Sequence, residues 1–263
     1  MKSRRFQTLN RLCLVTLSLA MSGAIVACGQ SGKSNLKIIG GVAVSQKESL
    51  SRHVAALVTS KKIVQCTATA IGPSTFITAA HCIYGKNLEG WTIQSGLSPG
   101  KGETLTVVSG EIHPDYDPSQ MRTLSPELPP NDLAIIKTGE STRSIIPVPI
   151  IRRDLNHLTQ SELKVTVAGY GRTDGTDPQS TGKLQKVSLS IESFNDEARE
   201  FSTYSEEGKM GCHVDSGAPA FMQYGEELIL VGTVSRGDRL CTSGKTVYTD
   251  LSHFQDFVTG NIN

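Results

Sequence analysis

The chain has 263 residues, with 26 Lys+Arg against 25 Asp+Glu and a formal net charge of +1. That near-balance leaves no charge excess of the kind a nucleic-acid partner needs, and internal repeats and long like-charged blocks are absent. A hydrophobic content of 38% with 25 Gly and 11 Pro fits a turn-rich chain of short strands.

The N-terminal segment reads as a targeting signal. Lys2, Arg4, Arg5 and Arg11 precede an apolar run at 12–27 that is short for a membrane span. Arg4-Arg5 is taken as the charged leader of an ordinary secretory signal, not as a twin-arginine motif. Ile25-Val26-Ala27-Cys28 resembles the lipobox of bacterial lipoproteins, in which the cysteine is acylated and becomes the mature N-terminus. The resemblance implies removal of 1–27, lipidation at Cys28, and a flexible tether and propeptide at 28–37. The alternative is a plain signal peptide with an incidental cysteine. Either way the product is exported, as an outer-membrane or periplasmic lipoprotein of the bacterial envelope, as a secreted protein, or both in turn.

Once Cys13 leaves with the signal and Cys28 takes lipid, Cys66, Cys82, Cys212 and Cys241 remain for an oxidising compartment. Four cysteines allow three pairings. None has C-x-x-C spacing, so no metal site is expected, and no cofactor.

From Ile38 onward, short apolar-alternating runs at 54–59, 63–71, 105–108, 163–168, 184–191, 228–234 and 246–251 predict strands. The Gly72-Pro73-Ser74 break folds two runs into a hairpin with Cys66 and Cys82 at its outer ends, where the pair can staple the loop carrying His81. Residues 114–131 hold five prolines and predict a long exposed loop leading to Asp132. Residues 139–162 are polar and irregular, as a connection between two halves would be. Phe254, Phe257 and Val258, at i, i+3 and i+4, predict a short terminal helix over 252–260.

The chemistry sits in three separated motifs: Thr78-Ala79-Ala80-His81-Cys82, Asn131-Asp132-Leu133-Ala134 and Asp215-Ser216-Gly217. A serine hydroxyl becomes nucleophilic when an imidazole takes its proton, and a carboxylate fixes the imidazole's tautomer. Alone, a serine in such a turn is a turn residue and a histidine beside a cysteine is structural. The chain order His, Asp, Ser distinguishes one arrangement among several unrelated ones. With Ile38-Ile39-Gly40-Gly41, His113-Pro114-Asp115-Tyr116, Gly169-Tyr170-Gly171-Arg172-Thr173 and Val247-Tyr248-Thr249 in order, the chain resembles the trypsin-like serine endopeptidases of the chymotrypsin family.

The resemblance implies an all-β fold of two six-stranded antiparallel Greek-key barrels, about 38–145 and 160–251, with the active site between them. It makes His81, Asp132 and Ser216 catalytic, and the N–H groups of Val214 and Ser216 the oxyanion hole. It implies a cut after Lys37 that frees Ile38 to pair with Asp215, and disulfides Cys66–Cys82 and Cys212–Cys241. Met210, Gly237 and Thr246 would form the specificity pocket, and Ser235, Arg236 and Gly237 the strand that pairs with substrate. Peptide or protein substrates, an activating protease and possible protein inhibitors are the implied partners, with membrane attachment only through the Cys28 lipid.

Three positions depart from the family pattern. Val214 stands where glycine is expected, Ala218 replaces the second glycine, and Arg236 replaces a tryptophan; the segment between Ser193 and Cys212 is shortened and lacks the usual cysteines. The uncharged Met210 favours apolar or small substrate residues, unless Glu206 or Glu207 turns inward and restores a basic preference. The alternative function is a weakly active or non-catalytic protease-like binding protein of the envelope. His53, His113, His157 and His253 are expected to be surface or packing residues, and His213 to sit at the cleft rim.

Overall fold

The computed structural model describes residues 38, 40–124, 130–152, 163–171, 182–238 and 240–262. Residues 1–37, which carry Cys28 and Lys37, lie outside the described residues, as does His157. No helix among the described residues is long and apolar enough to cross a membrane.

The short strand β1 (Val42–Ala43) is followed by β2 (Val54–Val58), β3 (Val64–Gly72), β4 (Thr75–Thr78), β5 (Thr92–Gln94), β6 (Thr104–Ile112) and β7 (Ala134–Thr138). Strands β2 to β7 close into an antiparallel barrel in the order β2-β3-β4-β7-β6-β5. The second barrel uses β8 (Lys164–Gly169), β9 (Gln185–Asn195), β10 (Glu200–Tyr204), β11 (Pro219–Tyr224), β12 (Glu227–Gly237) and β13 (Lys245–Asp250). Its order is β9-β10-β13-β12-β11-β8, closed by the β8–β9 pairing. β1 adds to the outside of this second sheet, Val42 opposite Lys186, so the first barrel begins at Val54 rather than at residue 38. Both barrels expected from the resemblance are present.

Alternation explains how the halves join. In β2 every residue is buried, yet the two faces bury against different things. Ala55 and Leu57 fill the first barrel with Phe76, Ile93 and Ile136. Val54, Ala56 and Val58 face a layer between the barrels with Ile77, Ile135, Tyr170, Phe221 and Leu230. Ala134–Thr138, also buried along most of its length, lies outside the predicted runs. The Tyr170 hydroxyl crosses this layer to donate to the carbonyl of Gly96 (2.7 Å).

The chain ends in a 3-10 turn, Leu251–Phe254, and a helix, α1 (Gln255–Asn261). The Asp250 carboxylate caps the turn by accepting from Ser252 N–H. Phe254 and Val258 bury into the layer between the barrels and Phe257 packs at its edge, as their spacing requires. Both expected disulfides are formed, Cys66–Cys82 and Cys212–Cys241.

Candidate active site

His81 lies in a 3-10 turn, Ala80–Cys82, directly after β4, and Asp132 stands two residues before β7. Because β4 and β7 are neighbours, with Thr78 opposite Ala134, the two residues are brought together at the same end of the barrel. Asp132 is fully buried. Its Oδ1 accepts the His81 backbone N–H (2.9 Å) and its Oδ2 faces His81 Nδ1 (2.8 Å) and accepts from Ser235 Oγ (2.8 Å). A carboxylate cannot donate, so Nδ1 carries the ring proton and Nε2 is left as an acceptor.

Burial alone would raise the Asp132 carboxyl, but the His81 ring, its backbone N–H and Ser235 outweigh it and hold Asp132 below the ordinary carboxylate range. Burial likewise disfavours the charged His81 ring. The Asp132 charge and hydrogen bond overcome this and raise the imidazole above its ordinary value, with Arg236 pulling the other way.

Ser216 enters from the second barrel and lines, with His81, a cavity of about 340 Å³. Its loop is pinned to the first barrel, where Thr67 N–H donates to the Ser216 carbonyl (2.9 Å). Gly217, at φ +76°, must be glycine, since a β-carbon there would sit 2.1 Å from Thr78 Oγ1. Among the described residues, Ser216 Oγ is not hydrogen-bonded to His81, whose Nε2 lies 3.9 Å from Cys82 Sγ. Such bonds are often long before substrate arrives.

Val214 has φ +76°. Asp215 N–H donates to the Cys212 carbonyl (2.9 Å), closing a four-residue turn in which His213 has negative φ and Val214 positive φ. Those signs of φ are the ones a type II turn has, whose third position ordinarily takes glycine. A β-branched residue resists this region at a cost of about 1–3 kcal/mol. Thr67 Oγ1 also donates to the Val214 carbonyl (3.3 Å), holding the far side of the strained residue.

The family model described as Trypsin matches residues 38–258. The chain belongs to the trypsin family. It is 27% identical to trypsin-1 of Astacus astacus over 217 residues, covering 74% of this chain and 87% of that protein. It is 27% identical to phenoloxidase-activating factor 1 of Holotrichia diomphalia, covering 75% of this chain and spanning 61% of that longer protein. It is 25% identical to a venom serine protease of Polistes dominula, covering 88% of this chain and 86% of the relative.

In this trypsin-family chain the cavity is walled by Gly211, Cys212, Val234, Ser235, Arg236, Gly237, Cys241 and Thr246, with the exposed His213 at its rim. Met210 is fully buried against Cys212 and Cys241, so close to Gly237 that a β-carbon there would lie 3.0 Å from the Met210 methyl. Thr246 Oγ1 accepts Gly211 N–H (3.1 Å). Glu207 instead pairs with Lys209 (2.5 Å), its side chain 73% exposed, and neither Glu206 nor Glu207 lines the cavity. The inward turn that would restore a basic preference does not occur. Arg236 lines the cavity, but its guanidinium is bonded to Glu200. His53, His113 and His253 are packing or surface residues.

Sequence reasoning missed Met121 and Asp238 on the cavity wall, Thr67 beneath the nucleophile loop, and Glu200. None lies in a motif. Each is close to the site only because a neighbouring strand or loop carries it there.

Asp215 is fully buried, accepting N–H groups of Cys212 and Gly171 (2.9 Å each) and, among the described residues, pairing with no cation. Gly171 allows this approach, since a β-carbon would sit 2.1 Å from Asp215 Oδ2. Burial pushes the carboxyl up to about 7, the two N–H groups opposing. Its folded value thus exceeds its unfolded one, so the folded state keeps the proton longer. This group should cost stability progressively as pH rises from the ordinary carboxylate range to about 7. Thermal melts of the uncut chain should therefore show a drop over that window that Asp215→Asn flattens; equal pH slopes in the two proteins would contradict it.

Proposed function

We propose that this trypsin-family chain is an exported endopeptidase that cuts peptide bonds through an acyl-enzyme on Ser216. His81 Nε2 takes the Ser216 proton as Oγ bonds to the substrate carbonyl carbon, and returns it to the leaving amine as the C–N bond breaks. Water repeats the cycle on the ester, releasing the acid and restoring Ser216. Asp132 holds the His81 tautomer and supports the imidazolium. The N–H groups of Val214 and Ser216 receive the oxyanion. The observation that carries this reading is the hydrogen-bonded array Ser235–Asp132–His81 opening onto the cavity that Ser216 also lines.

Thr246 on the cavity wall, with the apolar Met210 buried behind Gly237 and outside the lining, favours a compact, uncharged substrate side chain at the cleaved bond, and Ser235 to Gly237 would pair with the substrate backbone. The domain plan is a signal at 1–27, a lipidated tether and propeptide at 28–37, and the peptidase from Ile38. Another protease cuts after Lys37, and the Ile38 ammonium then neutralises Asp215. Ile38 is already buried in the second-barrel core, which supports this pairing. Because neither disulfide spans residue 37, the cut that activates the enzyme also releases it from the Cys28 lipid.

A second reading, a weakly active or non-catalytic binding protein of the envelope, draws on one observation, the strained φ at Val214. One preparation separates the two. The processed protein is sequenced from its N-terminus and treated with a fluorophosphonate probe. An Ile38 N-terminus without lipid and labelling of Ser216 are expected; an Ile38-starting protein that fails to label supports the binding protein. Protein starting at Ile38 yet still covalently lipidated through Cys28 would exclude release by activation.

A further inference from the structure

Glu200, the first residue of β10, and Arg236, near the end of β12, meet from the two strands that flank β13. Their side chains are 4% and 7% exposed and doubly bonded, Nη1 to Oε1 (2.5 Å) and Nη2 to Oε2 (2.8 Å). Two further Arg236 donors reach the surroundings of the site. Nε donates to the Thr123 carbonyl (2.6 Å), and Nη1 also donates to Ser235 Oγ (3.2 Å). With that oxygen serving as acceptor, the single Ser235 proton goes to the Asp132 Oδ2 carboxylate oxygen, 2.8 Å away, a far stronger acceptor than the Met121 Sδ at 3.6 Å. The result is one continuous path, Glu200–Arg236–Ser235–Asp132–His81.

A buried ion pair is a poor device for stability, because desolvating both charges offsets most of their attraction and apolar replacements are often as stable. Placement is the better explanation. We propose that Glu200 and Arg236 are a positioning pair for the peptidase reaction: Arg236 orients Ser235 toward Asp132 and sets a positive charge at the end of the array that leads to His81, while Glu200 holds Arg236 in place and balances it. This rests on the peptidase reading above.

Other groups face the same two residues. Tyr116 approaches Asp132 from the loop before β7, and His213 and Asp238 line the cavity with His81. The Asp238 carboxylate is occupied by the N–H groups of Leu240, Thr242 and Ser243. Cys66 and Cys82 are joined and do not titrate. Arg236 is the charge wired into the array. Burial, aided by Asp132, raises the Glu200 carboxyl above its ordinary range despite Arg236, and Arg236 opposes protonation of His81.

The test reads His81 directly by NMR titration of its ring in the processed protein carrying Ser216→Ala, so it does not depend on turnover. Glu200→Gln leaves Arg236 unbalanced and should lower the His81 titration midpoint by roughly 0.5–1 pH unit. Arg236→Met removes the cation and should raise it by a similar amount, and the Glu200→Gln/Arg236→Met double should fall between the singles. With Ser216 restored, the acid limb of kcat/KM should move in the same directions. Midpoints within about 0.2 pH unit of the parent, or singles that shift the same way, overturn the proposal, since a merely structural pair would reduce folding without opposite shifts. If Glu200→Gln fails to fold, Arg236→Met decides it: the buried Glu200 carboxyl it leaves without a cation is already raised by burial and can take a proton, and a His81 midpoint that does not rise in that variant overturns the proposal. A protein that neither cuts peptides nor labels would defeat the peptidase reading while leaving the titration result standing.

Discussion

Replacing Ser216 with alanine is expected to lower kcat/KM by roughly 10⁵-fold or more, and replacing His81 with alanine by a similar factor. The two act as one unit: without the imidazole the hydroxyl keeps its proton, and without the hydroxyl the imidazole has nothing to activate. The double variant should therefore lose little beyond either single. Asp132→Asn should cost on the order of 10⁴-fold while preserving the fold, because an amide in place of the carboxylate lets the ring take the wrong tautomer. Folding of each variant is checked by circular dichroism, and rates are measured on processed protein. A Ser216→Ala protein retaining more than about a tenth of the parent rate would remove Ser216 from the mechanism.

Val214→Gly is expected to raise turnover. The type II turn at Cys212 to Asp215 has a close alternative, type I, that keeps the Asp215 N–H to Cys212 carbonyl bond but turns the peptide between His213 and Val214 over. In the flipped form the Val214 N–H leaves the oxyanion position, which costs about 2.7–4 kcal/mol of transition-state stabilisation. Valine penalises the productive form by about 1–3 kcal/mol and glycine does not. On these magnitudes glycine substitution is expected to raise kcat by roughly 5- to 150-fold, the factor that 1–3 kcal/mol represents, with little change in KM. Glycine also frees the unfolded chain, at about 0.5–1 kcal/mol, so the net stability change should be small. A rate equal to or below that of the parent would show that Val214 already holds the amide in place without penalty, with the Thr67 bond to its carbonyl as the reason.

Strands with alternating burial were legible in advance. The 184–191 run reappears within Gln185–Asn195, whose first seven residues alternate between more and less buried positions. Ala134–Thr138 and Glu200–Tyr204 lie outside the predicted runs: the first begins at the last residue of the Asn131-Asp132-Leu133-Ala134 motif and is buried along most of its length, and the second is polar at three of five positions yet largely buried. Phe254 and Val258 announced the terminal helix because one face meets the layer between the barrels.

By itself the sequence determined the succession of short strands, the three motifs in order and the unusual valine at 214, since each depends on residue type and local spacing, while the two-barrel fold was implied by the family resemblance those motifs carry. Only the tertiary structure decided that Val214 takes positive φ, that Glu207 turns away toward Lys209, and that the Arg236 side chain pairs with Glu200. The reason is physical. Glu200 and Arg236 are 36 residues apart, and their meeting follows from how β10, β13 and β12 line up in the sheet, a pairing no local pattern encodes.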